Sequence, residues 1–480
     1  MPVSIARKIA FDVLLRVESE SAYASELLHS ALAPEFKPLD AALATEIALG
    51  VLRWQRLLDF LLDRQLKKPA ARLDLPVAIA LRIGLYQLRF LEKVPARAAV
   101  NESVELVKRA RKASAASLVN AVLRRAAAEA KLPAEKSLPP NLSLPERLGI
   151  LYSHPTWMVE RWLARFGESV TVALVDANNR PPRLTFAIHD SSRRDEVRRQ
   201  LEAAGLHVEP GRLLNSAFAA SGGSLARTAP FRTGEISIQD EASQAIPLLL
   251  GVRGGDRVLD LCAAPGGKTS QLARAAGPSG LVIAGELHEH RLRAMQSQFA
   301  RLRIATNACA KDRPEQRSTD AARAHESGAR VDLIALDGTQ PLPFSTAFER
   351  ILVDAPCSGT GTLARHPEIR WRLGLEQLAG FHALQSKLLR TALAQLAPGG
   401  RLVYSTCSIE PEENEAVIAE IADSRAYRIV PVSESAQLLA PNLAPTVDGS
   451  VLFDSRGYFH TSPEGQATDG FFAAAIERFA

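Results

Sequence analysis

Apolar residues at Leu43, Ile47, Val51, Trp54, Leu58 and Leu61 recur at steps of three or four, the period of one face of an α-helix. The spacing predicts a helix that begins after Asp40 as its N-cap. Prolines at 34, 38, 69, 76 and 95 fall between such segments, where helices must stop because proline lacks the backbone donor. A further apolar helix is predicted over 118–123. Only Gly50 and Gly84 precede Gly149, and a glycine-poor, helically patterned stretch reads as an α-bundle. Residues 1–132 are therefore expected to form a helical domain. Pro133, Pro139, Pro140 and Pro145 mark 133–146 as a linker.

The pattern then changes. Residues 147–235 mix a predicted helix over 157–166 with an extended run over 184–188 after Pro181 and Pro182, a small α+β module. From 236 to 480, short buried strands at 257–262, 281–286, 331–337, 350–354 and 401–405 alternate with helices at 269–276, 288–302, 376–396 and 412–422. That alternation predicts a doubly wound, mainly parallel sheet that binds its ligands at the strand C-termini. The charged, alanine-rich piece 310–330 reads as an exposed insertion.

Composition narrows the class. A chain of 480 residues is too long for one core. Its 46% apolar and 23% charged residues sit near the globular average, which excludes wholesale disorder. No long uncharged apolar run exists, and Asp12, Arg16 and Glu18 interrupt any signal-peptide core. A cytoplasmic, membrane-free protein is expected, as a monomer. Cys262, Cys309, Cys357 and Cys407 are too widely spaced for a metal knuckle, so no metal is expected and the thiols read as free. Charge is uneven: residues 1–150 carry 23 Lys and Arg against 16 Asp and Glu, whereas 236–480 carry 24 against 28. The basic front half, with Lys108, Arg109, Arg111 and Lys112 in five residues, suits a polyanion. Solvated helix faces explain it equally well.

Candidate chemistry gathers at the strand ends. Cys262, Ala263, Ala264, Pro265, Gly266, Gly267 and Lys268 lie between a strand and a helix, where backbone amides approach a ligand at a positive helix end. A phosphate-binding Walker loop needs glycine where Cys262 stands. Glu286 ends the second strand, placed to hold two ribose hydroxyls, and Asp337 ends the third, placed to meet a base. This is the layout for a cofactor that carries a nucleoside.

Two thiols follow further strands, in Asp354-Ala-Pro-Cys357-Ser-Gly-Thr-Gly361 and Tyr404-Ser-Thr-Cys407-Ser408. A lone cysteine at a strand end is more often structural than reactive. Two beside sharp turns at one sheet edge favour nucleophilic chemistry. Sulfur added to cytosine carbon 6 makes carbon 5 reactive toward an electrophilic methyl group.

Together these motifs closely resemble the RNA cytosine-5 methyltransferases of the RsmB/Sun and NOP2/NSUN family. Arg82-Ile-Gly-Leu-Tyr-Gln-Leu-Arg-Phe90, Pro95–Glu102 and Leu118–Arg124 resemble the NusB-type RNA-binding domain that begins the RsmB branch. Ser153-His-Pro155 and Arg180-Pro-Pro-Arg-Leu-Thr185 resemble the linking module. Arg365-His-Pro-Glu-Ile-Arg-Trp371 and Thr468-Asp-Gly-Phe-Phe472 resemble further stretches of the enzyme domain. The resemblance implies a NusB-like bundle, a small α+β module and a Rossmann-like class I methyltransferase domain. It implies S-adenosylmethionine as cofactor and a cytosine of 16S rRNA, or of an early small-subunit assembly intermediate, as substrate. By motif match Cys407 attacks carbon 6, Cys357 helps to release the product, and Asp354 contacts the base beside the methyl group. The 262–268 loop, Glu286 and Asp337 would hold the cofactor. Position 286 is usually Asp in the family, and the 310–330 insertion precedes Asp337.

Two other classes stay open at this point: a non-catalytic antitermination factor built on the NusB-like bundle, and an NTPase reading of Gly-Gly-Lys-Thr. The same chemistry on another RNA is a further alternative. His366 is read as a surface histidine, Trp371 as stacking on a base or packing on the 376–396 helix, and Cys309 as a bystander. Met295 and Phe299 are read as core.

Overall fold

A computed structural model describes the chain from residue 3 to 480, except residues 21, 33–35, 130, 308–327 and 422–423. Cys309 and most of the expected insertion lie outside the described residues. The chain divides into two compact units. One comprises Met1–Pro181 with Thr362–Leu373, the other Pro182–Gly361 with Gly374–Ala480.

The first unit is helical. Ile5–Glu20, Ala24–Ala31, Pro38–Arg53, Gln55–Asp63, Leu75–Phe90, Ala96–Arg109 and Ala116–Glu129 surround one apolar core. Leu75–Phe90 is its centre, buried at every position from Val77 to Leu88, as a helix with no polar face must be. Arg82 survives there because it is bidentate to Asp59 (2.7 and 2.9 Å) and also reaches Glu18 at 2.6 Å. The periodic run that starts at Leu43 is two helices, broken at Trp54, and not one. Asp40 is not the N-cap, because Pro38 opens that helix and places Asp40 in its first turn. Pro38, Pro76 and Pro95 thus start helices, where their missing donor costs nothing.

The proline-rich stretch is partly ordered, with a 3₁₀ turn at Ala134–Ser137 and a Ser143–Glu146 capping box on the helix Leu144–Leu151. The helix expected over 157–166 runs from Thr156 to Ala177, with Gly167 at φ +76° inside it.

The second unit holds two sheets. The smaller has strand order β2-β3-β1-β4, all antiparallel: β1 (Leu184–Ile188), β2 (His207–Pro210), β3 (Ala217–Ser221) and β4 (Ile236–Ile238). The helix Arg194–Ala203 packs Val197 and Leu201 against Phe186 and Ile188 of β1.

The larger sheet contains β5 (Arg257–Asp260), β6 (Leu281–Glu286), β7 (Arg330–Ala335), β8 (Phe348–Asp354) and β9 (Leu396–Thr406), mutually parallel in the order β9-β8-β5-β6-β7. Beyond β9 lie three strands the hydrophobic pattern did not announce: β10 (Tyr427–Ile429), β11 (Phe459–Thr461) and β12 (Phe471–Arg478). β12 is antiparallel to β9. Successive strand residues feed opposite faces. Val258, Leu352 and Val403 enter one core, with Met295 and Phe299. Leu259, Ile351, Val353 and Leu402 enter the other, under the helix Gln377–Ala394. Helices therefore cover both faces, and the strand C-termini are left to form the site. No helix of the described residues is long and apolar enough to cross a membrane.

Candidate active site

β5 ends at Asp260, and the chain turns through 261–266 into the helix Gly267–Ala276. Gly266 caps that helix at φ +99°, and a Cβ there would meet the Phe299 ring at 3.0 Å. A left-handed backbone against a packed ring leaves no room for a side chain. Gly267 differs, since a Cβ there would touch only Gln239, at 3.6 Å.

Three acids lie near this loop at the ends of β5, β6 and β8. Asp260 is 1% exposed; its Oδ2 accepts from the Thr269 hydroxyl at 2.7 Å, while its buried Oδ1 has no hydrogen-bond partner. Burial raises this carboxyl to about 7, against the opposing Thr269 hydrogen bond. Glu286 is also buried; it accepts from His288 N at 3.0 Å and pairs with Arg291 at 3.4 Å. Asp354 accepts from Lys268 Nζ and from Ser405 Oγ, each at 2.7 Å. Lys268 thereby ties the glycine loop to the end of β8, with its ammonium 5.0 Å from the Phe471 ring centroid. Asp337 lies apart. β7 ends at Ala335, so Asp337 stands in an exposed turn, where Thr339 donates to it from backbone and hydroxyl.

The two thiols sit at the ends of β8 and β9, with Cys357 Sγ 3.3 Å from Cys407 Sγ. Parallel pairing brings the turns together: Asp354 is opposite Ser405, Ala355 N donates to Ser405 O, and Gly361 N donates to Cys407 O. Gly361 also meets Gly470 back to back, and a Cβ on it would lie 2.0 Å from Gly470 O. Only glycine fits, which explains the Gly of Thr468-Asp-Gly-Phe-Phe472 as well. The contact with Cys407, then burial, pushes the Cys357 thiol well above its ordinary range. Burial does the same to Cys262, which packs against the core beneath the loop.

The structure thus brings together the 262–268 loop, Glu286, Asp354, Cys357 and Cys407, and sets Asp337 at the rim. Sequence reading passed over Asp260, Thr269, Ser405 and Glu413. Asp260 carried a signal, an acid inside the apolar strand Arg257-Val-Leu-Asp-Leu. Glu413 carried none, as one of several glutamates between 410 and 415. Among the described residues no group of three or more His, Cys, Asp or Glu is placed to hold a metal ion.

His366 is half-buried and not a surface residue. Its ring packs edge-on against Tyr23, and burial lowers it to about 4. The Trp371 indole donates to Leu52 O at 2.7 Å within the helical unit. Arg370 beside it is fully buried among carbonyl oxygens of Ser153, Asn178 and Arg53. Met295 and Phe299 are core.

Three family models match the chain: the NusB family over residues 4–128, the ferredoxin-like domain of RsmF/B-like methyltransferases over 154–221, and the 16S rRNA methyltransferase RsmB/F over 247–477. The chain is 31% identical over 480 residues to the Bacillus subtilis protein named "Probable ribosomal RNA small subunit methyltransferase B", covering 100% of both chains. It is 33% identical over 417 residues to ribosomal RNA small subunit methyltransferase B of Erwinia tasmaniensis, covering 85% of this chain and 88% of that one. The solved structure of PH0851 shares the fold, with a TM-score of 0.76 at 23% identity over 99% of this chain and 100% of that one. A methyltransferase homologue from Pyrococcus horikoshii aligns at 27% identity and a TM-score of 0.55, over 71% of this chain and 100% of its own. With a NusB-like helical domain, a small sheet module and a mixed-sheet methyltransferase domain in one polypeptide, the chain belongs to the RsmB/F family of ribosomal RNA small-subunit methyltransferases.

Proposed function

We propose that the chain methylates carbon 5 of one cytosine in 16S rRNA, with S-adenosylmethionine as donor and Cys407 as the covalent nucleophile. The observation that carries this reading is the 3.3 Å contact between Cys357 and Cys407 Sγ at the mouth of the glycine-loop sheet edge. A methyltransferase acting on an already nucleophilic atom needs no thiol, whereas cytosine carbon 5 must first be activated by addition at carbon 6.

The residues present suit the donor. The amides at the start of helix Gly267–Ala276 can take its amino-acid end, with Gln239 lying alongside Gly267. Buried Glu286 can take the ribose hydroxyls, and Asp337 at the rim can meet the base. When bound, S-adenosylmethionine supplies an electrophilic methyl group for carbon 5 and leaves as S-adenosylhomocysteine. Cys407 in its thiolate form adds to carbon 6, forming the sulfur–carbon bond and passing the electron pair toward carbon 5. Asp354, fixed by Lys268 and Ser405, holds the cytosine at its N3 and amino edge. After transfer the carbon 5 proton passes to solvent water, its electron pair re-forms the carbon 5–carbon 6 double bond, and the Cys407 sulfur departs as thiolate, with Cys357 assisting that departure. The helical unit supplies RNA affinity. The bundle followed by the small sheet module divides the chain into an RNA-gripping part over 1–235, with 133–146 between its two pieces, and an enzyme part over 236–480.

Mapping 5-methylcytosine in 16S rRNA from cells with and without this protein tests the proposal. The expected result is one cytosine that loses its methyl group when the protein is absent. An unchanged 16S map would redirect the search to other RNAs.

A further inference from the structure

The two cysteine turns share a partner. Glu413 is fully buried and follows Cys407 by six residues. Its Oε2 accepts from Ser358 N at 2.8 Å, and its Oε1 accepts from the Ser358 hydroxyl and, at 2.6 Å, from the Ser408 hydroxyl. Gln385 Nε2 adds a fourth bond at 3.0 Å. Ser358 immediately follows Cys357, and Ser408 immediately follows Cys407. One carboxylate therefore grips the residue next to each sulfur. The two serine hydroxyls also touch, at 3.1 Å, and Tyr404 OH donates to the Glu413 carbonyl at 2.6 Å.

The chemistry of this arrangement is specific. A buried carboxylate is costly unless every lone-pair region is satisfied. Among the described residues Glu413 forms no ion pair, and neutral donors alone hold it. Pure packing at this position would be served by an apolar side chain. A carboxylate that accepts three bonds from two separate turns, and a fourth from Gln385 of the helix Gln377–Ala394, fixes the spacing of the turns in a way a packed methyl group does not. Its charge also faces Cys357 and adds to the forces that keep this thiol protonated.

We infer that Glu413 is a positioning residue, a clamp that fixes the Cys357–Cys407 sulfur contact by binding Ser358 and Ser408 together. The inference rests on the two-thiol reading above for its use in catalysis, but not for its geometry. Loosening the clamp leaves the RNA and donor sites intact and lets the sulfurs drift apart.

Phenylarsine oxide reads the sulfur spacing without any RNA chemistry. It binds tightly only where two thiols lie side by side, forming two arsenic–sulfur bonds and releasing one water. Wild type should capture it, and Cys357→Ser sets the background from the other thiols. Glu413→Ala should weaken capture about ten-fold or more, the loss expected when a buried charged hydrogen-bond acceptor is removed. Its kcat should fall roughly 100-fold, as for a misplaced reacting group, with KM for RNA and donor unchanged. Glu413→Gln keeps an acceptor oxygen on the same stem and should recover much of both. Wild-type capture in a folded Glu413→Ala protein, or a raised KM with unchanged kcat, overturns the inference. If Glu413→Ala does not fold, Ser408→Ala decides, because it releases only the Cys407 side; weakened capture supports the clamp and unweakened capture overturns it. Should methyl transfer prove independent of Cys407, the catalytic reading fails while arsenical capture still reports on the clamp.

Discussion

Cys357 Sγ lies 3.3 Å from Cys407 Sγ although 50 residues separate them in the chain. Two sulfurs this close do not both ionise, since the second charge meets the first in a water-poor setting. The structure biases the choice: contact with Cys407, burial and the charge of Glu413 all hold Cys357 in its protonated form. On the function proposed above, Cys407 is the sulfur that attacks and Cys357 acts in release. Cys407→Ala should abolish methyl transfer. Cys357→Ala should still form the sulfur–carbon bond and pass the methyl group on, then stall before release. A denaturing gel of Cys357→Ala with 16S rRNA and S-adenosylmethionine should show a slow RNA-linked band, and the double variant none. A band in Cys407→Ala with Cys357→Ala free would reverse the roles.

Donor binding should depend on Glu286 and on the two loop glycines in different ways. Glu286→Ala removes a buried acceptor at the end of β6 and should cost about 1–3 kcal/mol of affinity, the range for a charged hydrogen bond. Gly266→Ala forces a side chain into a left-handed backbone against Phe299, so it should lower thermal stability as well as binding. Gly267→Ala meets only ordinary contact with Gln239, so its fold should survive, and any lost affinity measures crowding of the ligand. Calorimetric titration with S-adenosylmethionine separates the three. Wild-type affinity in Glu286→Ala would show that the acid serves the fold through Arg291 and the His288 amide instead.

Why some of this was legible and some not follows from range. The strand ends Glu286 and Asp354 and both cysteines were readable because β-strand, turn and glycine signals are local. The bundle was readable because its helices repeat at a fixed period. Asp40 misled because a capping side chain and a first-turn acid look alike in sequence, and Pro38 decided between them. β10, β11 and β12 were missed because two are three residues long and β12 is apolar on both faces, a pattern without period two. The contacts of Trp371 with Leu52 and of His366 with Tyr23 were not readable because the partners are more than 300 residues away in sequence. Glu413 was invisible because its partners meet only in the fold. Its work depends on two serines that only the pairing of β8 with β9 brings together.

RNA affinity of the helical unit should be read through salt. In the free protein Lys108 pairs with Glu105, Arg109 with Asp12 and Lys112 with Asp74, while Arg111, exposed at φ +59°, makes no ion pair among the described residues. Exposed pairs of this kind are worth about 0–1 kcal/mol, so a phosphate can displace the carboxylate. Arg111→Gln alone should flatten the slope of log affinity against log salt by about 1, as one phosphate contact does. Neutralising all four should flatten it further and weaken binding. A filter-binding series from low to moderate salt measures both, and an unchanged slope in the fourfold variant would place the cluster away from RNA.

Asp260 sets the last expectation, a dependence of stability on pH. Its folded carboxyl titrates at about 7, raised from 3.8 chiefly by burial. Below the unfolded value both states are protonated, and the side chain costs the fold nothing. As pH rises from about 4 toward 7 the unfolded chain releases the proton while the folded chain holds it, so the folded state loses ground with each step. Above about 7 the loss is complete, on the order of a few kcal/mol. Asp260→Asn has the same shape without the charge. The stability of this variant relative to wild type should therefore climb between pH 4 and 7 and level off above. Thr269→Val removes the hydroxyl that donates to Asp260 Oδ2 at 2.7 Å, which should raise the folded value further and extend the upper end of the pH-dependent loss to higher pH. Urea midpoints for the three proteins across this range supply the measurement. A difference between Asp260→Asn and wild type that stays flat with pH would mean that Asp260 is ionised in the folded protein throughout. Its orphaned Oδ1 would then carry a charge that only a ligand or water in the site could satisfy.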